Sequence, residues 1–198
     1  MALPRQRMTP DEYLALERGS DSRHEYFNGE TYAMSGASRR HSLIATSISA
    51  SLFQQTQERP CEVHGSDMRV KVSATGLYTY PDVTIVCGTP ELEDSHLDTL
   101  LNPTVLIEVL SPSTEAYDRG KKFEHYQRIA SLQEYLLVAQ DEPRIEQFIR
   151  QPQGWAYREA AGLDAEIALP TIGCTLSLKE VYQKVSFDMD SAGSLREG

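Results

Sequence analysis

Thr104-Val105-Leu106-Ile107-Glu108-Val109-Leu110 is an aliphatic run of strand length with one carboxylate inside it. A continuous apolar run of this size reads as a central strand covered on both faces. Glu108 is anomalous there. An uncompensated buried charge costs several kcal/mol, so folding alone would favour an aliphatic residue at that position. Pairing with a buried arginine or a strand-end position in solvent would explain it structurally. Otherwise the carboxylate is there for chemistry.

Working outward, Ser111-Pro112-Ser113 ends the strand, and a helix is expected over 118–130 with Phe123, Tyr126 and Ala130 on one face. Residues 134–138 form another buried strand, 144–149 and 155–158 outer strands, and 176–182 a terminal helix. Upstream, 80–86 reads as a strand that opens on Pro81, where a missing N–H is tolerated. Met68, Val70 and Val72 alternate with Arg69 and Lys71, the pattern of a half-buried strand. Residues 88–102 form an acidic loop. Residues 41–57 carry Ile44, Ile48 and Leu52 at helical spacing. Residues 25–34 read as a hairpin around Asn28-Gly29, a preferred tight-turn pair. Thr9 caps a short helix with Pro10 at its first position, ending near Gly19. This order predicts a mixed α/β (α+β) domain over 8–185: a mixed sheet flanked by helices on both faces, with an extra N-terminal hairpin and C-terminal strands. Residues 1–7 and 186–198 are expected to be flexible termini.

The chain has 198 residues, 40% hydrophobic and 24% charged, the composition of a soluble globular domain. No run approaches the ~18–20 apolar residues of a membrane span, and the N-terminus lacks the apolar core of a secretory signal. Cys61, Cys87 and Cys174 show no paired spacing, which argues against a disulfide framework or structural zinc. A reducing cytoplasm is the expected location. With 19 basic and 29 acidic residues the net charge is −10, so nucleic-acid binding requires a local basic surface or a metal. Phosphate-loop, nucleophile-elbow and zincin motifs are missing.

Asp82, at the start of its strand, and Glu108, on a neighbouring one, could share a divalent cation; Mg²⁺ typically takes one or two carboxylates, waters and a substrate phosphate. Lys122 borders the packed face of the following helix and can reach toward the carboxylates, with Lys121 as its exposed competitor. Glu25 and Glu30 flank the hairpin. His41 opens the next helix and reads as a surface or capping residue.

Tyr80-Pro81-Asp82-Val83, Ile107-Glu108-Val109-Leu110-Ser111-Pro112-Ser113-Thr114, Asp118-Arg119-Gly120-Lys121-Lys122 with Tyr126, and Glu134-Tyr135 together resemble the PD-(D/E)XK nuclease superfamily. Within it the match is to a bacterial family assigned as restriction endonucleases, once a domain of unknown function. Glu25-Tyr26-Phe27-Asn28-Gly29-Glu30 and Gly36-Ala37-Ser38 through His41 fit that family's N-terminal pattern. The resemblance covers about residues 8–185. It implies a restriction-endonuclease-like core with a four- to five-stranded mixed sheet, Asp82 and Glu108 as metal ligands, and Glu25 as a further acidic residue of the site. The superfamily's plain motif has lysine two residues after the second acid. Here that position is Leu110, and the resemblance points instead to Lys122.

The resulting expectation is a Mg²⁺- or Mn²⁺-dependent endonuclease acting on DNA, with Asp82, Glu108, Lys122 and Glu25 catalytic and a homodimer as its working form. Arg39, Arg40, Arg69, Lys71, Arg119 and Lys121 are the candidates for nucleic-acid contact. The alternatives are an inactive nucleic-acid- or protein-binding module of the same fold and, more weakly, a metal phosphohydrolase for small substrates.

Overall fold

The structure is a computed structural model that describes residues 7–34 and 36–187. The elements are α1 (Pro10–Arg18), β1 (His24–Phe27), β2 (Glu30–Ala33), α2 (Arg39–Thr56), β3 (Cys61–Gly65), β4 (Arg69–Val72), β5 (Leu77–Thr79), β6 (Val83–Cys87), β7 (Thr99–Leu100) and β8 (Val105–Val109). They continue with α3 (Glu115–Tyr117), a π turn (Asp118–Lys122), α4 (Phe123–Tyr126), β9 (Glu134–Val138), β10 (Arg144–Gln151), β11 (Gly154–Ala161), β12 (Glu166–Leu169), β13 (Cys174–Ser177) and α5 (Leu178–Val181).

The main sheet has six strands in the order β11-β10-β9-β8-β6-β3. It is larger than the four to five strands expected, because the C-terminal hairpin β10–β11 adds to its edge. β8 and β9 run parallel and the other pairs antiparallel. A parallel pair needs a crossover, here the segment α3–π turn–α4. A second sheet, β2-β1-β5-β4-β7, and a β12-β13 ribbon complete the fold.

Alternation along β8 decides what each face holds. Val105, Ile107 and Val109 join Ile44, Ile48 and Leu52 of α2, together with Leu169, Leu176 and Val181 near the C-terminus. Leu106 and Leu110 point the other way, into a core with Phe123, Tyr126, Ile129 and Leu132 and with Val70, Val72 and Leu100 of the second sheet. Helices therefore cover both faces of the main sheet. Glu108, two positions from Leu106 and Leu110, projects into this second layer.

α1 starts on a capping box between Thr9 and Glu12. The β1–β2 turn places Asn28 at φ 51° and Gly29 at φ 85°, the positive values that a two-residue hairpin of this type requires.

Several expectations change. Residues 80–86 are not one strand: β5 ends at Thr79 in the second sheet, and β6 begins at Val83 in the main sheet. Pro81, with no N–H to give to a ladder, marks the crossing. The helix over 118–130 is two short pieces joined by a π turn, and it buries Ile129 rather than Ala130. The terminal helix over 176–182 is strand β13 followed by one turn, because Ile167 and Leu169 of β12 give Cys174 and Leu176 a partner strand. Cys61 and Cys87 form a disulfide, contrary to the reading from spacing. They face each other in the β3–β6 register, which brings together residues 26 apart in sequence. The expected flexible arms lie mostly outside the described residues. Arg7, however, binds Asn28 and Phe187 packs on Tyr182.

Candidate active site

Val83 pairs with Ile107 across the antiparallel β6–β8 ladder. One step further along that register, Asp82 stands opposite Glu108. Both face the layer beneath the crossover segment, on the wall of a cleft of about 1410 Å³ that Glu25, His41, Tyr117 and Lys122 also line.

Glu108 is 4% exposed and Lys122 5%. Lys122 Nζ lies 3.0 Å from Glu108 Oε1, 3.1 Å from Glu25 Oε1 and 3.4 Å from Asp118 Oδ1. Tyr126 donates its hydroxyl to Glu108 Oε1 at 2.7 Å, and Thr79 donates to Glu25 Oε1 at 2.5 Å. The carboxylate in the apolar strand is therefore paired, by a lysine from the crossover helix. The π turn presents Asp118 and Lys122 inward together, while Lys121 stays exposed.

Asp82 is held differently. Its Oδ2 accepts the Val109 N–H at 2.7 Å and lies 3.0 Å from His41 Nε2.

One ammonium faces three carboxylates here, so negative charge is in excess. Burial pushes the Glu108 carboxyl up to about 8; Lys122 opposes that rise, and Asp118 and Asp82 add to it. Burial also raises Asp118, again against Lys122. Burial alone would lower the Lys122 pKa, but Glu108, Glu25 and Asp118 hold it well above its usual value. The site binds protons tightly chiefly because its carboxyls are buried, with neighbouring carboxylates adding to the effect.

Comparison with known proteins gives the family and the fold. The model of the Uma2 family, described as "Putative restriction endonuclease", matches residues 10–179. The chain belongs to this family. It is 35% identical over 185 residues to "Uncharacterized protein slr1290" of Synechocystis sp., covering 93% of this chain and 96% of that protein. It is 34% identical over 161 residues to "Uncharacterized protein sll1609" of the same organism, covering 81% and 91%. The crystal structure of "a putative nuclease belonging to DUF820" from Anabaena variabilis superposes with a TM-score of 0.70 at 21% identity, over 87% of this chain and 96% of that one. The Uma2 chain thus has a restriction-endonuclease-like fold.

The residues read as a phosphate track are dispersed in this Uma2 protein. Arg69 is 3% exposed, ion-paired with Asp98 and hydrogen-bonded to Thr99 and Tyr80. The alternation that placed it outward fails because β4 is covered on both sides. Lys71 is paired with Glu93. Arg119 forks onto Glu146 and also reaches Glu115. Arg39 and Lys121 are exposed and Arg40 is half-buried; Lys121 lines the cleft.

The sequence reading did not single out Asp118, Tyr126 or Thr79 for the site, and it took His41 for a surface or capping residue. The four-residue spacing of Asp118 and Lys122 is a local signal that could have found Asp118. His41 meets Asp82 only through the tertiary fold, so no local signal exists.

Among the described residues, no three His, Cys, Asp or Glu side chains form a group that could hold a metal. The donor set still suits a hard cation. Asp82 and Glu108 supply oxygens from neighbouring strands, and Mg²⁺ commonly uses only one or two carboxylates with waters and substrate oxygens. The excess negative charge gives the same cation an electrostatic reason to bind.

Proposed function

We propose that this Uma2 protein is a Mg²⁺- or Mn²⁺-dependent endonuclease that hydrolyses phosphodiester bonds in DNA. The observation that carries this reading is the opposition of Asp82 and Glu108 across β6–β8 with Lys122 Nζ 3.0 Å from Glu108. Family membership and the nuclease-like fold support it.

Asp82 and Glu108 would hold the cation. When bound, the cation lowers the pKa of a water and neutralises phosphate charge. Lys122, kept charged by Glu108, Glu25 and Asp118, orients the attacking water and stabilises the charge that develops on phosphorus oxygens. Glu25 fixes the ammonium from the hairpin side, with Thr79 holding Glu25 in turn. Tyr126 keeps Glu108 Oε1 in place. Lys121 and Arg39 are the exposed cations offered to the DNA backbone. A twofold dimer would set two such clefts on the two strands of a duplex. The proposed location is the cytoplasm; none of the described helices is long and apolar enough to cross a membrane.

The test is incubation with supercoiled plasmid and with single-stranded DNA in Mg²⁺, Mn²⁺ or EDTA, with Asp82→Ala as control. Cation-dependent products from the wild type alone support the reading. Absence of products under every condition favours an inactive binding module, and products in EDTA exclude the metal mechanism.

A further inference from the structure

We propose that His41 is a positioning residue for Asp82, its place at the start of α2 set by hydrogen bonds through Ser38 and Gln140. The inference rests on Asp82 being a cation ligand. His41 Nε2 lies 3.0 Å from Asp82 Oδ2. The His41 backbone N–H is donated to Ser38 Oγ at 3.1 Å, the N-cap of α2. Ser38 Oγ donates to Gln140 Oε1 at 2.6 Å, and Gln140 Nε2 donates to Leu110 O at 2.5 Å. Leu110 follows Val109, whose N–H is donated to the same Asp82 Oδ2 at 2.7 Å.

These bonds tie together the start of α2, the ends of β8 and β9, and the entry to β6. Each tie has a positional consequence. The Val109 N–H bond and the His41 Nε2 contact both fall on Oδ2, which restrains the Asp82 carboxylate in rotation and leaves Oδ1 for a ligand. Gln140 and Ser38 fix where α2 begins, and with it the position of the imidazole. Groups that orient a metal-binding side chain in this way commonly change metal affinity by about 10–100-fold when removed. Among the described residues, His41 is the member of this set outside the strands whose side chain contacts Asp82 directly.

The test uses the full chain and Mn²⁺ as the probe, with affinity measured calorimetrically and melting temperatures recorded in EDTA. Wild type should bind Mn²⁺ and Asp82→Ala should not. His41→Phe, which removes the ring-nitrogen contact with Asp82, should weaken Mn²⁺ binding by about 10–100-fold. His41→Gln, which returns an N–H near the Nε2 position, should recover most of it. Gln140→Ala, at the far side of this set, should weaken binding several-fold with its EDTA melt unchanged, and it carries the test should His41→Phe not fold. Wild-type affinity in His41→Phe or in Gln140→Ala overturns the inference, as does a His41→Gln no better than His41→Phe. In those cases Asp82 remains a ligand. No Mn²⁺ binding by the wild type overturns both this inference and the cation reading of Asp82.

Discussion

Glu108 illustrates how far a single residue can be read. Its placement in an aliphatic run identified it as unusual, and the structure supplies a buried partner, Lys122. Because Lys122 is shared among three buried or half-buried carboxylates, removing it leaves them unpaired. Lys122→Met should therefore lower stability by roughly 3–5 kcal/mol, whereas Lys121→Met, on an exposed side chain, should change it by no more than about 0.5 kcal/mol. Urea titrations of the two variants check this. The Glu108 carboxyl is raised to about 8 by burial, so the folded state holds its proton more tightly than the unfolded chain. That contribution is complete below the unfolded carboxyl range and is lost as pH climbs through about 8. In EDTA, wild-type stability should fall between pH 5 and pH 8 by the usual linkage, and Glu108→Gln should flatten that slope. An equal slope in both proteins contradicts the assignment. His41 and Arg69 mark the opposite limit: one contact is purely tertiary, and one side chain points into a layer that the alternation did not reveal.

At the scale of elements, the segment between β8 and β9 is the informative one. A π turn holds one residue more than an α turn and is frequently found at functional sites. Here it spans Asp118–Lys122 and brings both ends of that ion pair inward. Inserting one alanine after Gly120 should rotate Lys122 by about 100° relative to Asp118. We expect a loss of about 3 kcal/mol or more from the charges left unpaired. Gly120→Ala should stay within about 1 kcal/mol of wild type, since no atom lies within 4 Å of where its Cβ would stand. Thermal melts of the two variants separate register from composition. The sequence shows helical periodicity here but not the extra residue, because a π turn has no distinct apolar pattern. The N-terminal helix and hairpin were legible because capping residues and Asn28-Gly29 act locally. The division of residues 80–86 was signalled by Pro81, yet which sheet each half joins depends on remote strands.

For the molecule as a whole, the mixed sheet with helices on both faces was legible from the order of apolar segments. The second sheet was not, since β7 has two residues and β5 three, too short to show a period. With a net charge of −10, and with Arg69, Lys71 and Arg119 committed to carboxylates of the same chain, the proposed cation would be a principal source of attraction for phosphate. The most direct measurement is the Mn²⁺-dependent nicking of supercoiled plasmid by wild type and by Glu108→Gln, each first shown by its melt in EDTA to be folded. The wild type should nick in Mn²⁺ and not in EDTA, and Glu108→Gln should not nick above that background. Nicking by Glu108→Gln at the wild-type rate would contradict the proposed cation role of Glu108.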